Sequence, residues 1–579
     1  MRQPGLLGVV VCVGLAVGCG SVHRQQGRVV LPTPQAPLEA GEQAELEGDI
    51  PDSKPVIRFE PASQPQRSDG PSGGNVRANQ DASGFDQNET TVAINPANPN
   101  WIVGGGNDAR LGRYTAAYYY SKDGGHTWSD GAAPYQQYST QADPTVAYCA
   151  DGTALFAYLD YSGGAFTPHR FMSTRSTDGG VTWGTPGIIF ASSGSPFADR
   201  PYITCAQAAG TNQNRVYASW TNFPNAFSSG TVRVAFSDDR GATWTGAKNV
   251  SSAGAQGSMP AAGKNGVVYV FFQAGSSIQF NKSTNGAGTW GTAATIATYS
   301  SLSDPNFRRP TYPSGAVDNS GGPFDGTVYV VWHSAINGDA DVFLSRSVNG
   351  GTTWSPPIRV HDDGVGNGRD QFMPWVSVDE KGTVAVKFFD RRDDPNNILQ
   401  HIYVATSHDG GQTFENERVS DVASNSTLTG FLGDYSAISA RSGKAIPLWS
   451  DLRAGTGEED VFIDIYKIYS YDKVTNVRFT DKNTVTFDDQ EPRTGAGSVY
   501  DIVRGDTADL ASASRASLAS CERENLAAPP AAVAGIPPVG RAWYYLIRAQ
   551  GTRGDGSFGT STPRPDPRES FDGTAVCGP

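Results

Sequence analysis

An eight-residue pattern that recurs six times constrains the fold of this chain more than any other feature of its sequence. Each copy follows Ser-x-Asp/Asn-x-Gly-x-Thr-Trp with small variations, and the last copy ends in Phe. The copies begin, at an uneven spacing of 46 to 64 residues, at Ser121, Ser176, Ser237, Ser283, Ser347 and Ser407. A unit of this length accommodates the four short strands of one β-propeller blade.

The residues of the motif explain why it recurs. Asp or Asn accepts hydrogen bonds from nearby backbone N–H groups, and the Gly tolerates positive φ, so together they close a tight turn. The Trp or Phe then buries a large apolar area against neighbouring strands. We interpret the motif as a structural turn and expect no catalytic group from it.

The pattern resembles the Asp box of the sialidase and BNR-repeat families, which implies a β-propeller. Composition agrees, because the chain contains 68 glycines and lacks long patterns of helical periodicity, as is typical of all-β proteins. With 45 basic and 58 acidic residues, the formal charge of −13 argues against nucleic acid or an anionic membrane surface as partner.

Aligning the units on their Asp boxes reveals a second repeated feature, a polar start followed by a strand. Seven such starts occur, at Asn88, Asp143, Asp199, Ser258, Arg308, Gln371 and Gly433. The seventh unit has no Asp box. We therefore predict an all-β, seven-bladed propeller, with six blades as the alternative. Since antiparallel neighbours alternate in direction, the polar starts and the ends of the second strands should share one rim, opposite the Asp boxes.

Outside the propeller, the sequence predicts export and a further domain. Residues 1–18 have the composition of a signal peptide, and Ala16 to Cys19 resemble a lipobox, which implies acylation of Cys19 and a lipid-anchored, extracytoplasmic protein of the cell envelope. Ordinary cleavage and release is the alternative. Residues 19–80 are predicted to be a disordered tether, although Lys54 to Phe59 could add an outer strand.

We place the propeller at residues 81–470. Residues 475–579 resemble a fibronectin type III-like β-sandwich, expected to serve as a spacer or attachment domain, with carbohydrate binding as an alternative. Export permits disulfides. We predict pairing of Cys149 with Cys205, which lie at similar places in successive repeats, and of Cys521 with Cys577, which both lie in the last domain.

The resemblance to sialidases implies site residues on the polar rim. Tyr435 corresponds to the nucleophile, Glu89 to the residue that activates it, and Asp143 or Asp199 to the acid and base. Arginines suited to bidentate carboxylate binding supply the substrate-binding candidates, which are Arg200, Arg309, Arg391 and Arg453. The Arg-Ile-Pro motif of the sialidases is absent from this chain.

Other interpretations of these residues remain open. Rim Asp and Arg side chains could simply pair with each other. Glu89, Asp143 and Asp434 could ligate a structural calcium, and no other cofactor or metal is expected. His333 is predicted to be a packed rim residue.

The functional prediction is an exported sialidase-like propeller, a monomer that recognises terminal acidic sugars of extracellular glycans and, as an exo-acting glycoside hydrolase, could cleave them. The alternative is a non-catalytic propeller that binds glycans or proteins. Arginines converging on one pocket, with Tyr435 hydrogen-bonded to Glu89, would favour the enzyme. Arginines paired with neighbouring Asp residues would favour the binding protein.

Overall fold

The computed structural model describes residues 74–80 and 83–468, except 226, 303, 305–307, 454 and 456, and then 478–481, 484–486, 499–506, 520–527, 531–532, 543–551 and 554–555. The predicted signal peptide, Cys19, the segment Lys54 to Phe59 and Cys577 lie outside the described residues.

Seven antiparallel sheets form a seven-bladed propeller, as predicted. The chain first contributes β1 (Val76–Arg77) to blade 7 and then at least four strands to each blade. In blades 1 to 6 the first four of these strands are numbered from the inside outwards. Blade 1 contains β2 (Gln87–Ile94), β3 (Ile102–Asp108), β4 (Thr115–Ser121) and β5 (Ser129–Ala132). Blade 2 contains β6 (Thr140–Tyr148), β7 (Ala154–Tyr161), β8 (His169–Ser176) and β9 (Gly187–Ser192). Blade 3 contains β10 (Phe197–Cys205), β11 (Val216–Phe223), β12 (Thr231–Ser237) and β13 (Lys248–Asn249).

The remaining blades follow the same order. Blade 4 contains β14 (Ala255–Ala262), β15 (Val268–Ala274), β16 (Ser277–Ser283) and β17 (Ala294–Thr298). Blade 5 contains β18 (Ser314–Val317), β19 (Val328–Ser334), β20 (Asp341–Ser347) and β21 (Ile358–Arg359). Blade 6 contains β22 (Gln371–Val378), β23 (Val384–Asp390), β24 (Leu399–Ser407), β25 (Glu415–Arg418) and the short β26 (Ser424–Asn425). Blade 7 contains β27 (Ile438–Arg441), β28 (Lys444–Asp451), β29 (Asp460–Ile463) and β30 (Tyr466–Lys467).

Single turns of 3₁₀ helix, at Phe227–Ser229, Lys264–Gly266 and Ser426–Leu428, are the helices of the described part of the chain. Within the described ranges, no helix has the length and apolar character needed to cross a membrane.

The core of the propeller lies between blades. Seven apolar clusters fill the seven interfaces between neighbours, including the one that joins blade 7 to blade 1. Aliphatic and aromatic side chains fill them together, and Trp128, Trp220, Trp332 and Trp449 are almost completely buried. Since a buried aromatic side chain stabilises a fold by roughly 2–3 kcal/mol, these interfaces are the main source of stability for the ring.

The strand β1 closes the ring by completing blade 7. It pairs with β29, placing Val76 opposite Ile463 and Arg77 opposite Phe462. Its backbone continues this pairing, because Ala78 N donates to Val461 O at 2.7 Å. This strand lies before residue 81, where the sequence analysis placed the start of the propeller. Its short polar sequence shows no alternation of apolar residues, which is why it was not recognised as a strand.

The repeated motif forms the predicted turn. In blade 1, Asp123 accepts hydrogen bonds from the backbone N–H of Thr127 at 2.9 Å and from its hydroxyl at 2.6 Å, and Ser121 Oγ accepts one from Gly125 N at 2.9 Å. The Trp128 indole donates to Gly125 O at 2.9 Å. The contacts of the Ser and of the Asp or Asn backbone acceptor recur in the other five boxes, whereas the indole bond recurs in the box of Trp244. Each box therefore fixes the end of a third strand.

The two faces of the propeller also follow the predicted assignment. In blade 1, Gln87 at the start of β2 pairs with Asp108 at the end of β3, whereas Ile102 at the start of β3 pairs with Ser121 of the Asp box. We call the edge that carries the starts of the inner strands and the ends of the second strands the site face. Cys149 directly follows β6 and Cys205 ends β10, so both lie at the edge opposite the site face. They form a disulfide between blades 2 and 3, as predicted.

The described segments after residue 477 form two further antiparallel sheets. One contains β31 (Arg478–Asp481), β32 (Thr484–Thr486) and β35 (Ala531–Ala532). The other contains β33 (Val499–Asp506), β34 (Ser520–Leu526), β36 (Trp543–Gly551) and β37 (Gly554–Asp555). The fibronectin type III-like assignment stays a prediction, as does the pairing of Cys521.

Candidate functional site

A β-bulge near the start of the inner strand is repeated around the propeller. Register shifts interrupt the inner ladders of blades 1, 2, 3, 4 and 6. At each shift one residue has positive φ, namely Glu89 (57°), Asp143 (54°), Arg200 (46°), Gly257 (68°) and Met373 (48°). Because a bulge changes the direction of a side chain, it redirects these residues from the strand faces.

In blades 5 and 7 the corresponding positions are held by tyrosines. Tyr312 comes two residues before Ser314, the first ladder residue of β18, and Tyr435 comes two residues before Ala437, whose carbonyl accepts from Leu448 N. Gly257 provides room for this arrangement, because a Cβ there would lie 2.1 Å from the Tyr312 ring. The bulges therefore gather one residue from each blade around the centre of the site face.

A small pocket opens between these residues. Its walls include Arg200, Tyr202, Tyr312, Trp375, Asp434 and Tyr435. The cavity volume is about 20 Å³, which is room for one or two water molecules. A carboxylate group could enter a space of this size, whereas a whole sugar ring could not.

Glu89 and Asp143 form a pair of acidic side chains beside the pocket. Glu89 accepts hydrogen bonds from the backbone N–H of Asp434 at 3.1 Å and from Asn107 Nδ2 at 3.0 Å, and it shares a side-chain hydrogen bond with Asp143. Burial, followed by the charges of Asp143 and Asp434, raises the pKa of Glu89 well above its usual value. A nearby like charge disfavours ionisation, so both the burial and the neighbouring carboxylates favour the protonated form of Glu89.

Arg200 is the basic residue of the pocket. It is 3% exposed, and its guanidinium lies 3.7 Å from the centre of the Tyr312 ring. Its Nη2 donates to Asp434 O at 3.4 Å, and its Nε is 3.9 Å from Asp434 Oδ2. The Tyr202 hydroxyl is near enough to interact electrostatically. Yet among the described residues neither that hydroxyl nor Arg200 Nε and Nη1 meets a partner in good hydrogen-bond geometry.

Asp434 connects the pocket to a second arginine. Its carboxylate pairs with Arg308, and its side chain is fully buried. Within the described part of the chain its other oxygen, Oδ1, has no hydrogen-bond partner. Among the described residues, the pocket thus contains a carboxylate oxygen of Asp434 and two guanidinium nitrogens of Arg200 that lack hydrogen-bond partners.

Tyr435 does not contact Glu89 in the way that the enzymatic prediction requires. Its hydroxyl donates to Pro144 O at 3.2 Å, and its ring packs edge-on against Tyr202 at 5.2 Å. Burial, followed by the charge of Glu89, raises the pKa of Tyr435 well above its usual value. A hydroxyl in this environment is a poor nucleophile, because its deprotonated form is disfavoured.

Two of the predicted arginines form a separate cluster in blades 5 and 6. Arg309 Nη1 lies 2.8 Å from Asp370 Oδ2, and Arg391 Nη1 lies 2.8 Å from Asp304 Oδ2 and 3.5 Å from Asp370. Both guanidiniums stand over the Phe372 ring, at 5.3 and 5.2 Å. Neither arginine lines the pocket of Arg200.

Arg453 lies in a third place, at the edge of blade 7. It binds Asp451 at 2.8 Å, Asp421 at 2.9 Å and the side chain of Asn75 at 3.0 Å. The four predicted arginines therefore do not converge, and the three outside the pocket are paired with aspartates.

The last candidates occupy supporting positions. Asp199 precedes Arg200 in β10, lies opposite Thr221 and is 4% exposed. The His333 ring contacts the Thr311 hydroxyl at 3.1 Å, and burial together with Arg309 lowers its pKa to about 3. Among the described residues, no group of three or more His, Cys, Asp or Glu side chains is arranged to hold a metal ion.

Several residues of the site were not predicted from the sequence. Tyr202, Tyr312 and Trp375 form aromatic walls, and Asn107 bridges the acidic pair by accepting from Asp143 N at 2.9 Å. Lys387 is buried behind the pocket, with its Nζ 3.5 Å from Ser436 O, and burial lowers its pKa well below the usual value. A signal was available for the tyrosines, because both lie in the polar starts of their inner strands.

No protein-family model and no curated protein matches this chain. Solved structures that resemble it include a Hadza microbial sialidase, with 13% identity and a TM-score of 0.40, covering 66% of this chain and 66% of that one. A Dyadobacter fermentans protein of unknown function has 15% identity and a TM-score of 0.40, covering 68% and 98%. A Penicillium chrysogenum α-L-arabinanase has 15% identity and a TM-score of 0.36, covering 57% and 95%. At these TM-scores, the function has to be argued from the chain's own residues.

Proposed function

We propose that this protein is a non-catalytic binding propeller of the cell envelope, which holds the acidic group of a glycan in its central pocket. The observation that carries the proposal is Arg200, a buried guanidinium with two nitrogen atoms that lack a good acceptor among the described residues, at the wall of a cavity the size of a carboxylate. A buried charged donor gains most from an anionic partner, which supplies the missing hydrogen bonds.

One feature favours binding over hydrolysis. The Tyr435 hydroxyl donates to the backbone carbonyl of Pro144 and not to Glu89, the base that a tyrosine nucleophile needs. Export and lipid attachment through Cys19 belong to the same proposal and are supported by the signal-like sequence of residues 1–18.

Calorimetric titration with matched sugars tests the binding site. We expect galacturonic acid to bind and galactose, which lacks the carboxylate, not to bind. N-acetylneuraminic acid and its methyl ester form a second matched pair. Arg200→Gln should weaken binding by about tenfold or more, since a charged hydrogen bond is lost.

Arg453→Gln is the control for this titration, because Arg453 is a rim arginine outside the pocket. It should leave the affinity unchanged. Equal binding of galacturonic acid and galactose, or equal loss of affinity in both variants, would contradict the proposal.

A fluorogenic sialoside tests the absence of catalysis. We expect no turnover between about pH 4 and pH 8, a range that covers the usual pKa values of glycosidase carboxyl groups. Turnover that disappears in Tyr435→Phe would overturn the non-catalytic part of the proposal and support a sialidase.

A further inference from the structure

Four phenylalanines form a two-layered cluster on the site face of blades 2 and 3. Phe197 begins β10 and pairs with Phe223 at the end of β11. Phe166, in the loop after β7, lies 5.7 Å from Phe197, and Phe227, in the loop after β11, lies 5.1 Å from Phe223. Phe166 and Phe227 also contact each other at 5.1 Å. The distances are between ring centres.

The two layers differ in their exposure to solvent. Phe197 is 5% exposed and Phe223 is fully buried, whereas Phe166 and Phe227 are only half-buried. The lower pair thus serves as a floor that holds the upper pair at the surface. An aromatic surface fixed in this way loses little side-chain entropy when a ligand packs on it.

The loop that presents Phe166 adopts an unfavourable backbone conformation. Phe166 has a φ of 62°, which is rare for an aromatic residue. Gly194 permits the conformation, because a Cβ there would lie 2.9 Å from Phe166 O. The Thr167 hydroxyl, which donates to Gly164 O at 2.7 Å, also holds the loop. Strain of this kind persists where the surroundings fix it, and it is concentrated at functional sites.

The cluster is close to the pocket because the same strand carries both. Phe197 and Arg200 are three residues apart in β10, a distance of about 10 Å along an extended strand. A ligand whose acidic group reaches Arg200 cannot place its sugar rings in the pocket, which is too small. Its rings must lie on the rim, and the phenylalanines form an aromatic surface there beyond the start of β10.

We propose that Phe166 and Phe227 form a second subsite, on which a sugar ring of an acidic oligosaccharide stacks while the acidic residue occupies the pocket of Arg200. This inference rests on the proposed function and extends it, because it makes the ligand an oligosaccharide and not a single sugar. The C–H groups of a sugar face carry partial positive charge, which matches the negative face of an aromatic ring.

Titration with sugars of different length tests the subsite. For the wild type we expect trigalacturonate to bind about tenfold more tightly than galacturonic acid, and 3′-sialyllactose more tightly than N-acetylneuraminic acid. Phe166→Leu and Phe227→Leu preserve apolar volume and remove the aromatic face. Each should weaken binding of the trisaccharides and leave binding of the single sugars unchanged.

Phe85→Ala is the matched control, because Phe85 is 47% exposed and precedes the inner strand of blade 1 on the same face. It should have no effect on either ligand. If the single sugars bind but the trisaccharides bind no more tightly, or if the leucine variants retain the difference, the subsite is wrong and the pocket stands. If no acidic sugar binds at any length, the proposed function fails, and the subsite with it.

Discussion

The burial of Glu89, close to the charges of Asp143 and Asp434, makes the stability of the protein depend on pH. The raised pKa of Glu89 means that the folded protein keeps a proton which the unfolded chain releases above about pH 4.5, its ordinary value. Stability therefore falls as the pH rises from that value towards the folded-state pKa, because the folded state binds more protons.

Glu89→Gln should remove this dependence. The amide can donate to Asp143 and accept from Asp434 N, as the protonated acid does, but its NH2 group cannot accept from Asn107 Nδ2. The lost hydrogen bond should lower the Tm of the variant by the same amount at every pH. We therefore expect the Tm of the variant relative to that of the wild type to rise by about 2 °C or more between pH 4 and pH 8. Glu458→Gln, at an exposed position on the same face, is the control. A difference in Tm that stays constant or falls from pH 4 to pH 8 would contradict the raised pKa of Glu89.

Single residues of the site could be predicted from the sequence only in part. Glu89, Asp143, Arg200 and Tyr435 come together because all four lie at the starts of inner strands, which the repeat identified. For some rim arginines, pairing with an aspartate could also have been predicted from a short sequence pattern. In blades 1, 6 and 7 the second strand ends in Asp-x-Arg, and the Asp binds the arginine two residues later.

At the scale of single elements, the Asp box permits a matched test of one hydrogen-bonded turn. Asp239 accepts from Thr243 N at 2.8 Å, from the Thr243 hydroxyl at 2.6 Å and from the Ser237 hydroxyl at 2.7 Å. Burial would raise the pKa of Asp239, but these hydrogen bonds outweigh it and lower the pKa to about 2. In blade 4, Asn285 occupies the equivalent position, where it accepts from Thr289 N at 2.8 Å and donates from its Nδ2 to the Thr289 hydroxyl at 2.9 Å.

Asp239→Ala should therefore destabilise the protein by about 1–2 kcal/mol at pH 7, whereas Asp239→Asn should cost clearly less. Denaturant unfolding of both variants measures the difference. Because the pKa of Asp239 is lowered, the wild type should lose its advantage over Asp239→Asn as the pH falls from about 4 towards 2. Equal losses for Ala and Asn would show that the hydrogen bonds of the box do not stabilise the turn.

Turns are easier to predict from this sequence than bulges, for a physical reason. A box needs Gly, Asp and Trp at fixed offsets, so its geometry is visible in the residue types. The bulges place ordinary residues, such as Glu89, Arg200 and Met373, at positive φ, and nothing in those residue types indicates this conformation. The surrounding ladder imposes it, so the directions of these side chains could not be predicted from the sequence.

For the whole molecule, the decisive step is closure of the ring. The number of blades could be derived from the sequence, because the seven polar starts mark the beginning of each blade. The residues that close the ring could not be derived in this way, because β1 is a two-residue strand that pairs with a partner almost 400 residues away. Contacts of this kind have no local signature.

Closure also predicts which N-terminal residues the propeller needs. Val76 packs against the cluster between blades 7 and 1, and Asn79 binds the backbone N–H of Val461 at 2.9 Å and Asp460 at 3.0 Å. A chain that starts at residue 74 should melt at the same temperature as one that starts at residue 20, directly after Cys19. A chain that starts at residue 81 loses β1, exposes the edge of β29 and should melt at least about 5 °C lower.

Asn79→Ala in the longer chain separates the hydrogen bonds from the packing. It should lower Tm by less than the truncation does, because β1 and its apolar contacts remain. Calorimetry measures the Tm of the four proteins. Titration of the same samples with galacturonic acid tests whether a ring that lacks β1 still forms the pocket. A chain from residue 81 that is as stable as the chain from residue 74 would show that blade 7 is complete without β1. The predicted start of the propeller at residue 81 would then be sufficient for a stable ring.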